Sequence, residues 1–112
     1  MISNLLEVFV SEKSSGDLLI KLKGEIDQLT IRNLRESLDK YNANEAEALI
    51  FDLEEVEFMA SAGLAIFAYY LDAFKKRGKG QKVKVINCSE GVFRVFHLTM
   101  LDELIDVSCR KE

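Results

Sequence analysis

Between residues 49 and 77 the apolar positions change from a continuous run to a helical spacing. Residues 49–53 are almost all apolar and do not alternate, which predicts a strand covered on both faces in a largely parallel sheet. Residues 62–77 carry apolar side chains every three or four positions, which predicts a helix with one apolar face. That face contains Leu64, Phe67, Ala68, Leu71 and Phe74. We expect this strand and helix, with an acidic loop between them, to form the centre of the fold.

The remaining apolar positions predict further strands and helices on both sides of this centre. Alternation in residues 6–11 and 18–23 predicts a β-hairpin that turns at residues 14–17, and apolar runs at 83–86 and 104–107 predict two later strands. Helical spacing marks residues 31–41 and a short segment that starts near Ser89. The predicted order is β-β-α-β-α-β-α-β. We therefore expect one α/β domain over residues 1–112, a mixed sheet of about five strands with three main helices.

The composition is that of a globular protein with an acidic balance. Of the 112 residues, 48% are hydrophobic and 30% are charged, and the net charge is −4. A dedicated nucleic-acid-binding protein is normally basic with a clustered patch, so this charge argues against a nucleic-acid partner. No apolar run approaches the roughly 20 residues of a membrane-spanning helix, and no signal-like apolar core follows the N-terminus. We expect a cytoplasmic protein with no membrane partner.

Residue types that carry catalysis or bind metals are few and scattered. Cys88 and Cys109 form no CxxC pair and His97 is the only histidine, whereas a structural zinc site needs about four ligands. The sequence has no recognisable nucleophile–base pair and no phosphate-binding loop. We therefore expect no enzymatic activity and no metal or other cofactor, and leave weak nucleotide binding open. The two cysteines are predicted to be reduced and partly buried, and to lie close together if they end neighbouring strands.

Ser61 stands where the predicted central strand gives way to the predicted helix. A serine there is a typical N-cap, because its hydroxyl accepts a hydrogen bond from an amide two or three residues further on. The position also suits a regulatory phosphoserine, since the positive end of a helix tolerates an anion. Gly63 is interpreted as room for the close approach of a partner. The acidic residues in 54–57 are either a solvated loop or a recognition surface, and of Phe58 and Met59 we expect one buried and one exposed.

Three segments carry a resemblance to a known family. They are Gly24-Glu25-Ile26-Asp27 after the second strand, the stretch from Asp52-Leu53 to Phe58-Met59-x-Ser61-x-Gly63-Leu64, and Leu98-Thr99-x-Leu101-Asp102 near the C-terminus. In these segments and in the order of its elements, the chain resembles the STAS domain, and more narrowly the bacterial anti-sigma factor antagonists.

The resemblance implies a regulatory switch without catalysis. In that family the unphosphorylated antagonist binds an anti-sigma factor that is itself a serine kinase, and so frees the sigma factor. The kinase phosphorylates the serine that aligns with Ser61, the complex dissociates, and a PP2C-type phosphatase reverses the modification. Asp27 aligns with an acidic position beside that serine. The implied partner-binding residues are Asp27, Glu57, Phe58, Met59, Ala60, Ala62, Gly63 and Leu64.

One residue departs from the family pattern. Antagonists usually carry Met-Asp-Ser, whereas Ala60 precedes Ser61 in this chain. Ala60 removes a carboxylate that could orient the hydroxyl or define how the kinase docks. A second hypothesis is therefore a degenerate STAS module that is not phosphorylated and serves as a scaffold in a regulatory complex. In either case we expect a monomer or a weak dimer, and the sequence leaves the sigma factor and the pathway open.

Overall fold

The computed structural model describes residues 6–110, and its secondary structure follows the predicted order. The strands are β1 (Glu7–Glu12), β2 (Asp17–Ile26), β3 (Ala48–Met59), β4 (Val83–Cys88) and β5 (Asp106–Cys109). The helices are α1 (Ile31–Lys40), α2 (Leu64–Lys76) and α3 (Glu90–Leu98), and short 3-10 turns, including Ser61–Gly63, connect some of these elements. Within the described residues, the predicted α/β class with five strands and three main helices is confirmed.

Every strand of the single mixed sheet lies beside its neighbour in sequence. β1 pairs antiparallel with β2, as the hairpin pattern predicted, and β2 to β5 are parallel to one another. A helical crossover between parallel strands is almost always right-handed. Because the parallel strands advance in one direction across the sheet, right-handed crossovers place α1, α2 and α3 on the same face. The core therefore lies between that face and the helices.

Burial along β3 alternates as a sheet covered on one face requires. Leu49, Phe51 and Leu53 are fully buried, whereas Ile50 and Asp52 between them are only half-buried. The prediction that this strand is covered on both faces is therefore wrong. The continuous apolar run suggested two covered faces because Ile50 is apolar, although it lies on the face that the helices do not cover.

Three aromatic rings join the sheet to the helical layer. Phe67 of α2 packs edge-on against Phe51 of β3, with 4.9 Å between ring centroids, and against Phe96 of α3, with 5.2 Å. All three side chains are fully buried, and burying a side chain of this size stabilises a fold by about 1.5–3 kcal/mol. These contacts fix α2 in the middle of the helical layer, so its N-terminus has a defined place above the sheet.

The acidic residues 54–57, predicted as a loop, lie within β3. This strand continues to Met59 because it pairs with β2 as far as the end of both strands, where Ile26 and Met59 are register partners. Val56 and Met59 still point into the core, while Glu54, Glu55 and Glu57 are exposed. β2 is also longer than predicted and includes Gly24. The sequence analysis underestimated the length of both strands, because a run of glutamates is typical of a solvated loop and these glutamates lie on the open face of the sheet.

The C-terminal strand is shifted by two residues from its predicted start at Leu104. The chain first makes a 3-10 turn, Leu101–Glu103, so β5 begins at Asp106. The predicted start of α3 is correct, because the hydroxyl of Ser89 accepts a hydrogen bond from the backbone N–H of Val92 at 3.2 Å.

Cys88 and Cys109 are free thiols in register on β4 and β5. Cys88 is buried and Cys109 is exposed. Burial, reinforced by the neighbouring Cys109, raises the pKa of the Cys88 thiol to about 12. Between residues 6 and 110, no three or more His, Cys, Asp or Glu side chains are grouped to hold a metal ion. No helix in this part of the chain combines the length and apolar character needed to cross a membrane.

Candidate functional site

The candidate site lies where β2 and β3 end side by side. Past the last register pair, the backbone N–H of Ala60 donates a hydrogen bond to the carbonyl oxygen of Ile26 at 2.9 Å. This bond continues the pairing by one step and fixes where the chain leaves the sheet. Ser61–Gly63 then form a 3-10 turn, in which the N–H of Gly63 donates to the carbonyl oxygen of Ala60 at 2.8 Å. The turn leads directly into α2.

Ser61 is exposed at the first position of this turn. The prediction that it caps α2 is wrong, because α2 begins at Leu64 and Gly63 occupies its N-cap position. No side-chain hydrogen bond caps either the turn or the helix. The inserted turn separates Ser61 from the amides that it would otherwise cap. The hydroxyl is therefore at the surface and is not needed to start the helix.

Gly63 lacks a side chain for a reason that lies inside the molecule. It is buried, and a Cβ atom there would be 2.6 Å from Cγ2 of Ile26 and 3.3 Å from Cγ of Met59. Carbon atoms pack best at about 3.5–4.0 Å, so a methyl group does not fit without movement of its neighbours. The glycine serves close packing of the turn on the strand ends, rather than the approach of a partner as the sequence suggested.

Asp27 organises the loop between β2 and α1. Its Oδ1 accepts hydrogen bonds from the backbone N–H groups of Leu29 at 2.8 Å and Thr30 at 3.0 Å. The Thr30 hydroxyl in turn accepts from the N–H of Asp27 at 3.0 Å and donates to the carbonyl oxygen of Glu25 at 2.8 Å. This reciprocal arrangement is similar to a capping box and fixes the start of α1. The half-buried Asp27 carboxylate also lies at the positive end of that helix.

The eight residues predicted to bind a partner divide by exposure. Glu57, Phe58 and Ala62 are exposed, Asp27 and Ala60 are half-buried, and Met59, Gly63 and Leu64 are buried. The expectation for the Phe58–Met59 pair is confirmed, since Phe58 is 51% exposed and Met59 is 2% exposed. The three exposed residues form surface beside Ser61, and the three buried residues support that surface from below.

Leu29 is a candidate surface residue that the sequence reasoning missed. It is 82% exposed in the loop before α1. The sequence did contain an indication of this exposure, because Leu29 is apolar but falls outside the helical spacing of Ile31, Leu34 and Leu38. Together with Phe58 it exposes apolar area at the C-terminal ends of β2 and β3, where Ser61 also lies.

The end of β3 carries most of the local negative charge. Glu54, Glu55 and Glu57 are exposed, and Glu55 is paired with Lys21 at 3.7 Å. Asp52 differs from them, because its Oδ1 accepts hydrogen bonds from Nδ2 of Asn87 and from the backbone N–H of Glu54, both at 3.1 Å. Asp52 is therefore a structural residue, and the glutamates are the acidic groups open to a partner.

Comparison with known proteins places this geometry in a family. A profile of the STAS domain matches residues 9–111. The anti-sigma-B factor antagonist of Listeria monocytogenes is 31% identical over 103 residues, which cover 91% of this chain and 88% of that protein. The anti-sigma-B factor antagonist of Bacillus subtilis is 33% identical over 101 residues, which cover 90% of each protein.

A solved structure agrees with the sequence comparison. The crystal structure of an anti-sigma factor antagonist from Mycobacterium paratuberculosis superimposes with a TM-score of 0.76 at 30% identity, covering 92% of this chain and 85% of that one. The agreement of profile, sequence and fold over nearly the whole length shows that this chain belongs to the STAS domain family.

Proposed function

We propose that this chain is an anti-sigma factor antagonist that is switched by phosphorylation of Ser61. It binds an anti-sigma factor serine kinase through the surface around Ser61 and so releases the sigma factor. The kinase phosphorylates Ser61, which dissociates the complex, and a PP2C-type phosphatase restores the binding form. The observation that carries the proposal is the exposed Ser61 hydroxyl, which has no capping role in the fold. Relatives described as anti-sigma factor antagonists support the same function.

The folded chain can tolerate a phosphate at this position. A phosphoserine carries about −1.5 to −2 charges at neutral pH. Ser61 precedes α2 by one short turn, so the phosphate would lie near the positive end of a 13-residue helix. Because the hydroxyl makes no cap, phosphorylation breaks no hydrogen bond that starts the helix. We therefore expect modification to leave stability nearly unchanged.

A bound partner would not tolerate the same charge. Phe58 and Ala62, which lie close to Ser61 in sequence, expose apolar surface, and Glu57 is already negative. A partner fitted to this surface would bury the phosphate without a matching positive group, which costs several kcal/mol. Each 1.4 kcal/mol changes an affinity tenfold. One modification is therefore sufficient to dissociate the complex.

Phosphorylation is tested directly with the cognate kinase. We expect incubation with the kinase and ATP, followed by mass spectrometry, to place one phosphate on Ser61 of the wild type and none on Ser61→Ala. Absence of phosphate on the wild type would contradict the switch.

Partner binding is tested with a charge mimic. We expect Ser61→Asp to fold normally and to lose the anti-sigma factor in a pull-down. Ser14→Asp is the matched control. Ser14 is exposed in the hairpin turn before β2, at the opposite end of that strand from the candidate site. Equal recovery of the partner by Ser61→Asp and wild type would contradict the proposal.

A second candidate function is a scaffold module that binds a regulatory complex without being phosphorylated. The specific observation in its favour is Ala60, which stands where antagonists usually carry aspartate. Ala60→Asp separates the two candidates. If the variant is phosphorylated on Ser61 and the wild type is not, the scaffold function is favoured. If both are phosphorylated, the switch is retained and Ala60 affects only its rate.

A further inference from the structure

A groove of about 430 Å³ runs between the N-terminal halves of α1 and α2. Ile31, Ala65 and Ile66 give it an apolar floor, and Ala62 lines the end that adjoins Ser61. Its size falls within the roughly 300–1,000 Å³ of typical binding sites, and it lies between two helices, where a partner helix can lay an apolar face. The groove is therefore contiguous with the candidate site.

The wall of this groove on the α1 side is basic. Arg32 and Arg35 line it, together with the acidic Glu36. In the part of the chain that the structure describes, neither guanidinium forms an ion pair with a carboxylate. A guanidinium presents a planar fork that matches a carboxylate with two parallel hydrogen bonds. This wall thus offers two unpaired anion-binding groups in a chain whose net charge is −4.

Arg35 is held in position before any partner binds. Its guanidinium carbon lies 4.4 Å from the centre of the Tyr69 ring, a cation–π contact. The Tyr69 hydroxyl accepts a hydrogen bond from Nδ2 of Asn44 at 3.1 Å, which fixes the ring. An arginine that is already ordered loses less conformational entropy on binding than a free one. Arg35 is therefore suited to act as an anchor for a ligand.

We propose that the groove receives an acidic, amphipathic segment of the partner protein. Small apolar side chains of that segment pack on Ile31 and Ala65, and its carboxylates bind Arg32 and Arg35. This inference rests on the proposed function, since the partner is the anti-sigma factor. Ser61 therefore lies between an acidic surface, formed by the end of β3, and the basic wall of the groove. A partner that presents basic groups to the first and acidic groups to the second can dock in one orientation only.

The position of Ser61 links this groove to the proposed switch. Ala62 lines the groove and Ser61 immediately precedes it. A phosphate of about −1.5 to −2 charges at this rim repels the carboxylates of a docked segment. This repulsion weakens the contacts between the segment and the groove, so an acidic segment is the kind of occupant that phosphorylation expels most effectively.

Charge reversal in the groove is the decisive experiment. Binding of the purified cognate anti-sigma factor is measured by calorimetry for wild type, for the double variant Arg32→Glu/Arg35→Glu and for Arg94→Glu. Arg94 is the matched control, because it is an exposed arginine of α3 that lines a different cavity. We expect the double variant to bind at least about 100-fold more weakly and with a shallower salt dependence, and the control to bind within about twofold of wild type. All three proteins should have the same circular dichroism spectrum, since the three substituted side chains are exposed. The double variant also loses the contact of Arg35 with Tyr69, so it should melt no more than a few degrees below the wild type.

A cross-link identifies the occupant. Gln28 lines the groove at its rim, so a photoreactive benzoylphenylalanine at this position should attach to a segment of the anti-sigma factor that contains at least two carboxylates. Attachment to an uncharged or basic segment, or to a second copy of this chain, would overturn the inference. Equal binding of the anti-sigma factor by the double variant and the wild type would also overturn the inference, but it would leave the proposed function standing. A wild-type protein that binds no anti-sigma factor would instead remove the proposed function and this inference together.

Discussion

Replacement of Gly63 by alanine tests how tightly the candidate site is joined to the sheet. The new Cβ would lie 2.6 Å from Cγ2 of Ile26, about 1 Å inside the best packing distance of two carbon atoms. Ile26 is fully buried, and its carbonyl oxygen is held by the N–H of Ala60 at 2.9 Å, so neither its side chain nor its backbone has room to move away. The clash must therefore be relieved by displacement of the turn itself.

The expected magnitude follows from two opposing effects. Overpacking in a well-packed core destabilises a fold by about 1–3 kcal/mol. Alanine is better than glycine in a helix interior by up to about 1 kcal/mol, but Gly63 lies before the first residue of α2, where that gain is smaller. We expect Gly63→Ala to lower the free energy of unfolding by about 1–2 kcal/mol. For a domain of this size, the melting temperature falls by roughly 4–8 °C per kcal/mol.

The assay is urea unfolding followed by circular dichroism, with Gly91→Ala as the matched control. A Cβ at Gly91 of α3 would meet no atom of residues 6–110 within 4 Å, so this substitution should raise stability by about 0.4–1 kcal/mol. In an Ile26→Leu background, which removes the Cγ2 methyl, Gly63→Ala should cost less than in the wild type. A Gly63→Ala protein as stable as the wild type would refute the packing argument.

Four further predictions concern the thiols, the α1 loop and Ser61. Burial raises the pKa of Cys88 to about 12 in the folded state. The contribution of this thiol to stability is therefore present below the unfolded pKa and is lost as the pH rises above it. Between about pH 8 and 9.5 the wild type should lose roughly 1 kcal/mol more stability than Cys88→Val. Iodoacetamide should modify exposed Cys109 in the folded protein and Cys88 only after unfolding, as peptide mass spectrometry would show. Asp27→Ala should lower the free energy of unfolding by about 0.5–2 kcal/mol in urea titrations, and Asp27→Asn, which keeps the acceptor, should lower it less. Ser61→Asp should shift the urea midpoint by an amount equivalent to less than about 0.5 kcal/mol, and a larger loss would show that the hydroxyl supports the fold.

Element order could be predicted from the sequence because the apolar spacing is clear in each element. Leu64, Phe67, Leu71 and Phe74 keep a helical period and are all buried on the core side of α2. The ends of the elements were less predictable, because pairing between strands extends them beyond their apolar centres. β3 continues through the glutamates because β2 lies beside it, and a pairing partner distant in sequence leaves no local signal.

The candidate site could be located from the sequence, but its construction could not. The exposure of Ser61 and its position before α2 agree with its place between a strand and a helix. The 3-10 turn that separates Ser61 from the helix depends on how Gly63 packs on Ile26, a contact between residues 37 positions apart in sequence. The role of Asp27 was also hidden, because its hydrogen bonds to backbone amides depend on the shape of the loop.

The sequential order of strands in the sheet has a consequence for how the chain acquires its structure during synthesis. Each parallel strand pairs with the strand that precedes it, so every new βαβ unit can be added to a sheet that already exists. Neighbouring parallel strands are joined by short loops and one α-helix, and contacts that span short stretches of sequence form quickly. We expect the sheet to grow from the hairpin towards β5 as the chain leaves the ribosome, with the turn at Ser61 taking shape before the last edge strand has been translated.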